Sequence, residues 1–139
     1  MITKVTRILV TLGSSVSIGF GLWHFFVPKA WNWYSYIDAR ATELIVAVRA
    51  VNFFFSLSLV LFGLMNVFMI LGNGASRYPL LVCLGANCVL WFARVLFQFM
   101  YPQGSIQPIL QFSMLSSFII TFSFYAAALL SVVLDGNPG

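Results

Sequence analysis

Four apolar stretches dominate this sequence, and each is long enough to cross a lipid bilayer as a single helix. A transmembrane helix needs about 20 mostly apolar residues, and the stretches cover residues 7–26, 44–71, 79–100 and 109–134. Backbone groups in lipid must be satisfied internally, so stretches of this length form helices rather than the shorter strands of a barrel. The sequence therefore predicts an all-α fold, an integral membrane antiparallel four-helix bundle that forms one domain.

The composition agrees with a membrane protein. Only 7% of the residues are charged and 61% are hydrophobic, whereas a soluble domain is about 25% charged. The seven basic residues are spread along the chain, so they form no nucleic-acid-binding patch. The lipid bilayer is the predicted partner, and other membrane subunits or further copies of the chain stay open as partners.

The predicted connections indicate how the helices run. Polar turns at 72–76 and 101–105 are short, so the helices that they join should be antiparallel neighbours. The first connection, residues 27–43, is longer and contains aromatic residues that favour the membrane–water interface: Trp31, Trp33, Tyr34 and Tyr36. We predict that this aromatic loop lies along one membrane face and starts with a short helix at Pro28.

The orientation follows from the basic residues. Lys4 and Arg7 precede the first apolar stretch as in a signal peptide, but no cleavage site of small residues follows it, so we interpret the stretch as a retained span. Lys4, Arg7 and Arg77 lie on one side of the predicted bundle, against Lys29 and Arg40 on the other. The positive-inside rule therefore favours both termini in the cytoplasm.

Polar residues within the spans converge on one depth. Because the helices alternate in direction, the half of the membrane nearest the aromatic loop receives the end of the first and third spans and the start of the second and fourth. Helical spacing also predicts stripes that should face the bundle interior. The stripe of the second span is Arg49, Asn52, Ser56, Gly63 and Asn66, and that of the third is Asn87, Trp91, Arg94 and Gln98. The predicted ligand-binding residues are His24, Arg49, Asn52, Arg94, Gln98 and Gln111.

Arg49 and Arg94, which lie within the spans, are the strongest indication of a functional site, because a charge at the bilayer centre costs about 2.5–3.5 kcal/mol. Three interpretations stay open. Arg49 and Arg94 could snorkel to the interface, or pair with Asp38 or Glu43, or bind the anionic or polar part of a ligand through forked guanidinium hydrogen bonds.

His24 is the single histidine, and it is either a hydrogen-bonded interfacial side chain or a group that transfers protons or contacts a ligand. Haem with two histidine ligands needs a second histidine, and no metal-ligand spacing is visible. A quinone is therefore compatible with the sequence, whereas haem and a metal centre are not favoured. Cys83 and Cys88 lie five residues apart on different helix faces, as expected of small packing residues.

The segment Gly21-Leu22-Trp23-His24-Phe25-Phe26-Val27-Pro28 resembles the G-x-x-H-F-x-x-P element at the end of the first span in DoxX-like membrane proteins. That resemblance implies a small four-span protein of a bacterial inner membrane, and some relatives are linked to oxidoreductase complexes and quinone chemistry. The family often has a glutamate in its second span, where this chain has Arg49 and Asn52. Only His24 and Pro28 are transferred as motif positions.

Three functions are consistent with these features. The first is a binding or accessory subunit that holds a polar or anionic small molecule, a lipid headgroup or a quinone near the aromatic loop. The second is a quinone-linked oxidoreductase subunit in which His24 handles protons, and the third is an oligomeric transporter or channel. The sequence shows no nucleophile elbow, phosphate-binding glycine loop or catalytic triad, so a binding role is favoured over an enzyme.

Overall fold

The computed structural model describes residues 2–72, 76–104 and 107–135, and within them it is entirely helical. The elements are α1 (Lys4–His24), α2 (Val27–Ala30), a short 3-10 helix (Trp33–Tyr36), α3 (Thr42–Leu71), α4 (Arg77–Met100) and α5 (Pro108–Leu134). The four long helices are apolar enough to cross a membrane. The prediction of an all-α, four-helix integral membrane bundle is confirmed.

The helix boundaries lie within three residues of the predicted spans. Helix α1 starts at Lys4 because the Thr3 hydroxyl accepts a hydrogen bond of 3.1 Å from the Thr6 amide, as an N-cap residue does. It ends at His24, and the chain then turns into α2, where Pro28 occupies the first turn as predicted. The centre of the predicted turn at 73–75, residue 105 of the next turn and the tail at 136–139 lie outside the described residues.

The helices pack in a ring that is open on one side. Helix α1 packs along both α3 and α5, and α5 packs along α4, whereas α3 and α4 meet over a much shorter length. The prediction that consecutive helices are close neighbours therefore holds for α4 and α5. It is wrong for most of the length of α3 and α4, although a short turn joins them.

Two glycines account for the close packing of α1 on α3. A Cβ atom on Gly21 would lie 2.8 Å from the Ser56 carbonyl oxygen, and one on Gly63 would lie 3.0 Å from the Ser14 carbonyl oxygen. Small residues let helix backbones approach closely in membranes. We infer that this contact draws α3 toward α1 and leaves the side between α3 and α4 open.

A buried polar cluster joins three helices near mid-membrane. The Ser17 hydroxyl of α1 accepts a hydrogen bond of 3.0 Å from the indole nitrogen of Trp91 in α4. The same hydroxyl lies 3.0 Å from the Tyr125 hydroxyl of α5, and the Tyr125 hydroxyl lies 3.4 Å from that of Ser14. These bonds satisfy polar groups that lipid could not hydrate.

Arginines close the end of the bundle opposite the aromatic loop. Arg7 donates a hydrogen bond of 3.0 Å to the Ile70 carbonyl at the end of α3. Arg77 donates to the carbonyls of Val132, at 3.2 Å, and Val133, at 3.0 Å, at the end of α5. The last carbonyls of a helix have no partner within it, and a cation there also complements the helix dipole. Each arginine therefore caps a neighbouring antiparallel helix.

Candidate ligand-binding site under the aromatic loop

His24 ends α1 directly beneath the aromatic loop and lies among three aromatic rings. Its ring centroid is 5.0 Å from that of Phe55, 5.6 Å from Phe20 and 6.2 Å from Trp33. Its Nδ1 atom lies 3.5 Å from the Ser56 hydroxyl. The ring is thus held in a fixed place by α1, α3 and the loop, at the depth where the sequence predicts it.

Asn52 of α3 connects that helix to the end of α1. Its side-chain nitrogen donates a hydrogen bond of 3.2 Å to the His24 carbonyl oxygen, which satisfies one of the carbonyls left free where α1 ends. Asn52 is only 8% exposed. Its Oδ1 atom is buried and has no hydrogen-bond partner among the described residues, so it can accept a hydrogen bond from a bound molecule.

Arg94 of α4 points into the bundle. One terminal nitrogen donates to the Gln103 side-chain oxygen, and the guanidinium carbon lies 4.7 Å from the centroid of the Phe118 ring. The Nε atom is buried without a partner in the described part of the chain. Within residues 2–72, 76–104 and 107–135 the acid–base pair that forms is Asp38 with Arg40, at 3.5 Å in the aromatic loop. The interpretation that Arg94 pairs with Asp38 or Glu43 therefore does not hold for these residues.

The turn after α4 folds back onto the polar stripe of that helix. Gln98, only 2% exposed, donates a hydrogen bond of 3.0 Å to the Gln103 carbonyl oxygen, while the Gln103 side chain accepts from Arg94. Sequence reasoning missed Gln103 because it lies outside the spans. Gln103 is a polar residue in the turn, between Pro102 and Gly104, and this turn follows the helix that carries Arg94 and Gln98. A polar side chain at that position is the signal that could have identified it.

These residues line a cavity of about 430 Å³, here called the polar cavity. Its polar lining is His24, Asn52, Arg94 and Gln103, and Trp33 of the aromatic loop lines it as well. A neighbouring cavity of about 340 Å³ shares His24, Trp33 and Gln103 with it and extends along α5. Three of the six predicted residues thus line one cavity, and Gln98 supports it through Gln103.

Arg49 does not join this group, and its predicted place in the bundle interior is wrong. The side chain is exposed, and its guanidinium carbon lies 5.0 Å from the centroid of the Tyr34 ring. Three residues turn a helix by about 300°, so Arg49 is displaced by about 60° from Asn52 around α3. The stripe is correct from Asn52 onward, since Asn52, Ser56, Gly63 and Asn66 are buried.

The length of α3 is compatible with a position of Arg49 near the membrane surface. Thirty residues make a helix of about 45 Å, whereas the hydrocarbon core is about 30 Å thick. Arg49 lies two turns from the start of α3, beside the aromatic loop. This placement agrees with the snorkelling interpretation for Arg49, whereas Arg94 points inward.

Gln111 lines neither the polar cavity nor the neighbouring cavity along α5. It is half-buried, and its backbone N–H donates a hydrogen bond of 3.1 Å to the backbone carbonyl oxygen of Gln107. Gln107 instead lines the cavity along α5, because it precedes Pro108, the first residue of the helix. Within α5 itself the lining residues are Leu110, Ser113, Met114 and Ser117, so the fourth span reaches this cavity through residues on either side of Gln111 and not through Gln111.

No protein-family model matches the sequence, and no curated protein or solved structure is significantly similar to it. The resemblance of residues 21–28 to DoxX-like proteins stays a prediction based on that motif. In the structure the motif contains the end of α1, a turn and the start of α2. It carries His24 to the cavity and starts the aromatic loop with Pro28.

Proposed function

We propose that this protein is a membrane binding or accessory protein that holds the polar or anionic group of a small molecule in the polar cavity. The observation that carries the proposal is the inward guanidinium of Arg94, which has no carboxylate partner among the described residues and a buried Nε without a hydrogen bond. Arg94 is half-buried, and a charge that is withdrawn from water is costly unless it is paired. A bound anion would supply the counter-charge.

The arrangement of donors and acceptors fits such a ligand. A guanidinium presents forked donors that match a carboxylate or phosphate. His24 and Asn52 line the same cavity from α1 and α3, so a ligand could contact three helices at once. The volume of about 430 Å³ lies within the range of about 300–1,000 Å³ that is common for small-molecule sites.

A quinone-linked oxidoreductase subunit is the second candidate, and the position of His24 favours it. The ring lies among Phe20, Trp33 and Phe55 and lines the same cavity as Arg94. A quinone ring can stack on aromatic side chains, its oxygen can accept from Arg94, and histidine is suited to proton transfer near neutral pH. In this role the protein would receive electrons from another subunit.

The experiment that tests the binding role compares two arginines of equal charge. Wild-type protein, Arg94→Gln and Arg49→Gln are purified in native lipid particles, and the small molecules that accompany each are identified by mass spectrometry. We expect one compound to accompany the wild type and Arg49→Gln and to be at least tenfold depleted from Arg94→Gln. Equal retention by all three proteins would reject the binding role of Arg94.

The nature of that compound separates the two candidates. A phosphorylated or carboxylated compound supports the binding role. A quinone whose reduction by the purified complex falls at least tenfold in His24→Ala supports the oxidoreductase role.

We also infer that the protein lies in a bacterial inner membrane with both termini in the cytoplasm. Four spans place the two termini on the same side, together with Lys4, Arg7 and Arg77. The support is the count of basic residues that flank the spans, which are Lys4, Arg7 and Arg77 on that side and Lys29 and Arg40 on the other. A green fluorescent protein fused to the C-terminus should fluoresce, because it folds in the cytoplasm, and an alkaline phosphatase fused there should be inactive. The opposite pair of results would reverse the orientation.

A further inference from the structure

The open side of the bundle between α3 and α4 contains an apolar crevice of about 230 Å³. Phe55 and Leu59 of α3 form one wall, and Leu90, Ala93 and Phe97 of α4 form the other. Ala93 and Phe97 are also exposed on the outer surface of the bundle. The crevice therefore reaches the surface that faces the lipid.

This crevice adjoins the polar cavity. Phe55 and Arg94 line both, so a path lined by hydrocarbon leads from the bilayer to the guanidinium. On the side of the aromatic loop, Trp33 is part of the lining of the polar cavity. The easier route for an apolar molecule is sideways, between the two helices.

We propose that the ligand of the polar cavity is an anionic amphiphile that enters from the bilayer between α3 and α4. Its anionic group binds at Arg94, and one hydrocarbon chain lies in the crevice. This inference rests on the binding role proposed above and adds the chemical class of the ligand and its route.

The charge of Arg94 and the volume of the crevice favour an anionic amphiphile over other classes of ligand. A neutral ligand would leave the guanidinium without a counter-charge in a medium of low dielectric constant. A crevice of about 230 Å³ is smaller than the pockets of about 300–1,000 Å³ that hold whole small molecules, so it accommodates one chain. The anionic group could be a phosphate or a carboxylate.

The two parts of the ligand contribute in different ways. Lipid tails are as apolar as the walls of the crevice, so moving a chain from the bilayer into the crevice gains little hydrophobic free energy. The anionic group at Arg94 should therefore give the preference over a neutral amphiphile. The chain should give the preference over a free anion, because it concentrates the ligand in the bilayer, from which the ligand reaches Arg94 through the crevice. Substitutions at the two places can thus be told apart.

The test uses dodecyl phosphate, dodecanol and inorganic phosphate as probes, with binding to the protein in nanodiscs measured by native mass spectrometry. Wild-type protein should bind dodecyl phosphate at least tenfold more tightly than either of the other two. Ala93→Trp, which fills the mouth of the crevice, should lower dodecyl phosphate binding at least tenfold. Ala86→Trp is the matched control, since Ala86 is exposed on α4 and does not line the crevice.

The outcomes separate this inference from the binding role itself. If Ala93→Trp binds dodecyl phosphate as well as Ala86→Trp does, the route between α3 and α4 is rejected while the binding role stands. If inorganic phosphate binds as tightly as dodecyl phosphate, the ligand is a soluble anion, and if dodecanol does, the anionic group is unnecessary. If Arg94→Gln binds dodecyl phosphate like the wild type, the binding role also fails.

Discussion

The indole nitrogen of Trp91 donates a hydrogen bond of 3.0 Å to the hydroxyl of Ser17, and this bond joins α4 to α1 across the centre of the bundle. The same hydroxyl lies 3.0 Å from that of Tyr125 in α5. All three residues are buried. One small side chain therefore connects three of the four membrane-spanning helices.

Removing that hydroxyl should destabilise the bundle. Ser17→Ala leaves the Trp91 donor without its partner, and an unsatisfied buried group costs about 1–3 kcal/mol. The measurement is the free energy of unfolding in mixed micelles of mild detergent and sodium dodecyl sulfate. Ser123→Ala is the control, since its exposed hydroxyl bonds only to the Ile119 carbonyl of its own helix. An equal effect of the two substitutions would contradict the role given to Ser17.

The contact between α1 and α3 should tolerate no side chain at Gly21. A Cβ atom there meets the Ser56 carbonyl oxygen at 2.8 Å, and backbone cannot move away as a flexible side chain does. Overpacking costs about 1–3 kcal/mol, so Gly21→Ala should lower the free energy of unfolding by that amount. In Gly19→Ala the new Cβ meets nothing within 4 Å, and alanine favours helices by about 0.5–1 kcal/mol. That variant should be as stable as the wild type or more so, and equal losses in both would argue against close α1–α3 packing.

The cap that Arg77 places on α5 should be visible in hydrogen exchange. Arg77→Ala removes the donors to the carbonyls of Val132 and Val133, each bond contributing about 0.5–1.5 kcal/mol. We expect faster amide exchange in the last turn of α5, with the centre of the helix unchanged. Arg40→Ala serves as the control, because its side chain is 92% exposed. Unchanged exchange at the end of α5 in Arg77→Ala would show that the cap contributes nothing.

An internal counter-charge beside Arg94 should abolish the need for an external one. Gln103→Glu keeps the size of the side chain that accepts from Arg94 and replaces its amide with a carboxylate. We expect anion binding to fall at least tenfold, which corresponds to about 1.4 kcal/mol. Gln107→Glu adds the same charge in the neighbouring cavity lining and should have a smaller effect. Equal losses in both variants would indicate a general charge effect instead.

Hydropathy and helical spacing predicted the parts of the fold that depend on sequence-local physics. The four spans and the buried stripe from Asn52 to Asn66 follow from residue type and the period of the helix. The inward position of Arg49 failed because a displacement of about 60° moves a side chain from the interior to the surface, where Tyr34 receives it.

The remaining features depend on contacts between distant segments. Gln103 reaches Arg94 because a turn folds back onto α4, and the path of that turn is not encoded in a helical period. We attribute the opening between α3 and α4 to the close packing of α3 on α1, where Gly21 and Gly63 each lie against backbone of the other helix. Small residues were recognisable in the sequence, but which helix they would bring close was not.

The end of the bundle opposite the aromatic loop is held by hydrogen bonds between neighbouring helices. Opposite the aromatic loop, Arg7 and Arg77 cap neighbouring helices, and the hydroxyls of Thr6 and Ser131 lie 2.7 Å apart. In the described ranges no side-chain hydrogen bond joins α3 directly to α4. These two helices are therefore the neighbouring pair that can separate without the loss of such a bond. We therefore expect the site to accept ligands of different width, because moving α3 away from α4 breaks no side-chain hydrogen bond between them.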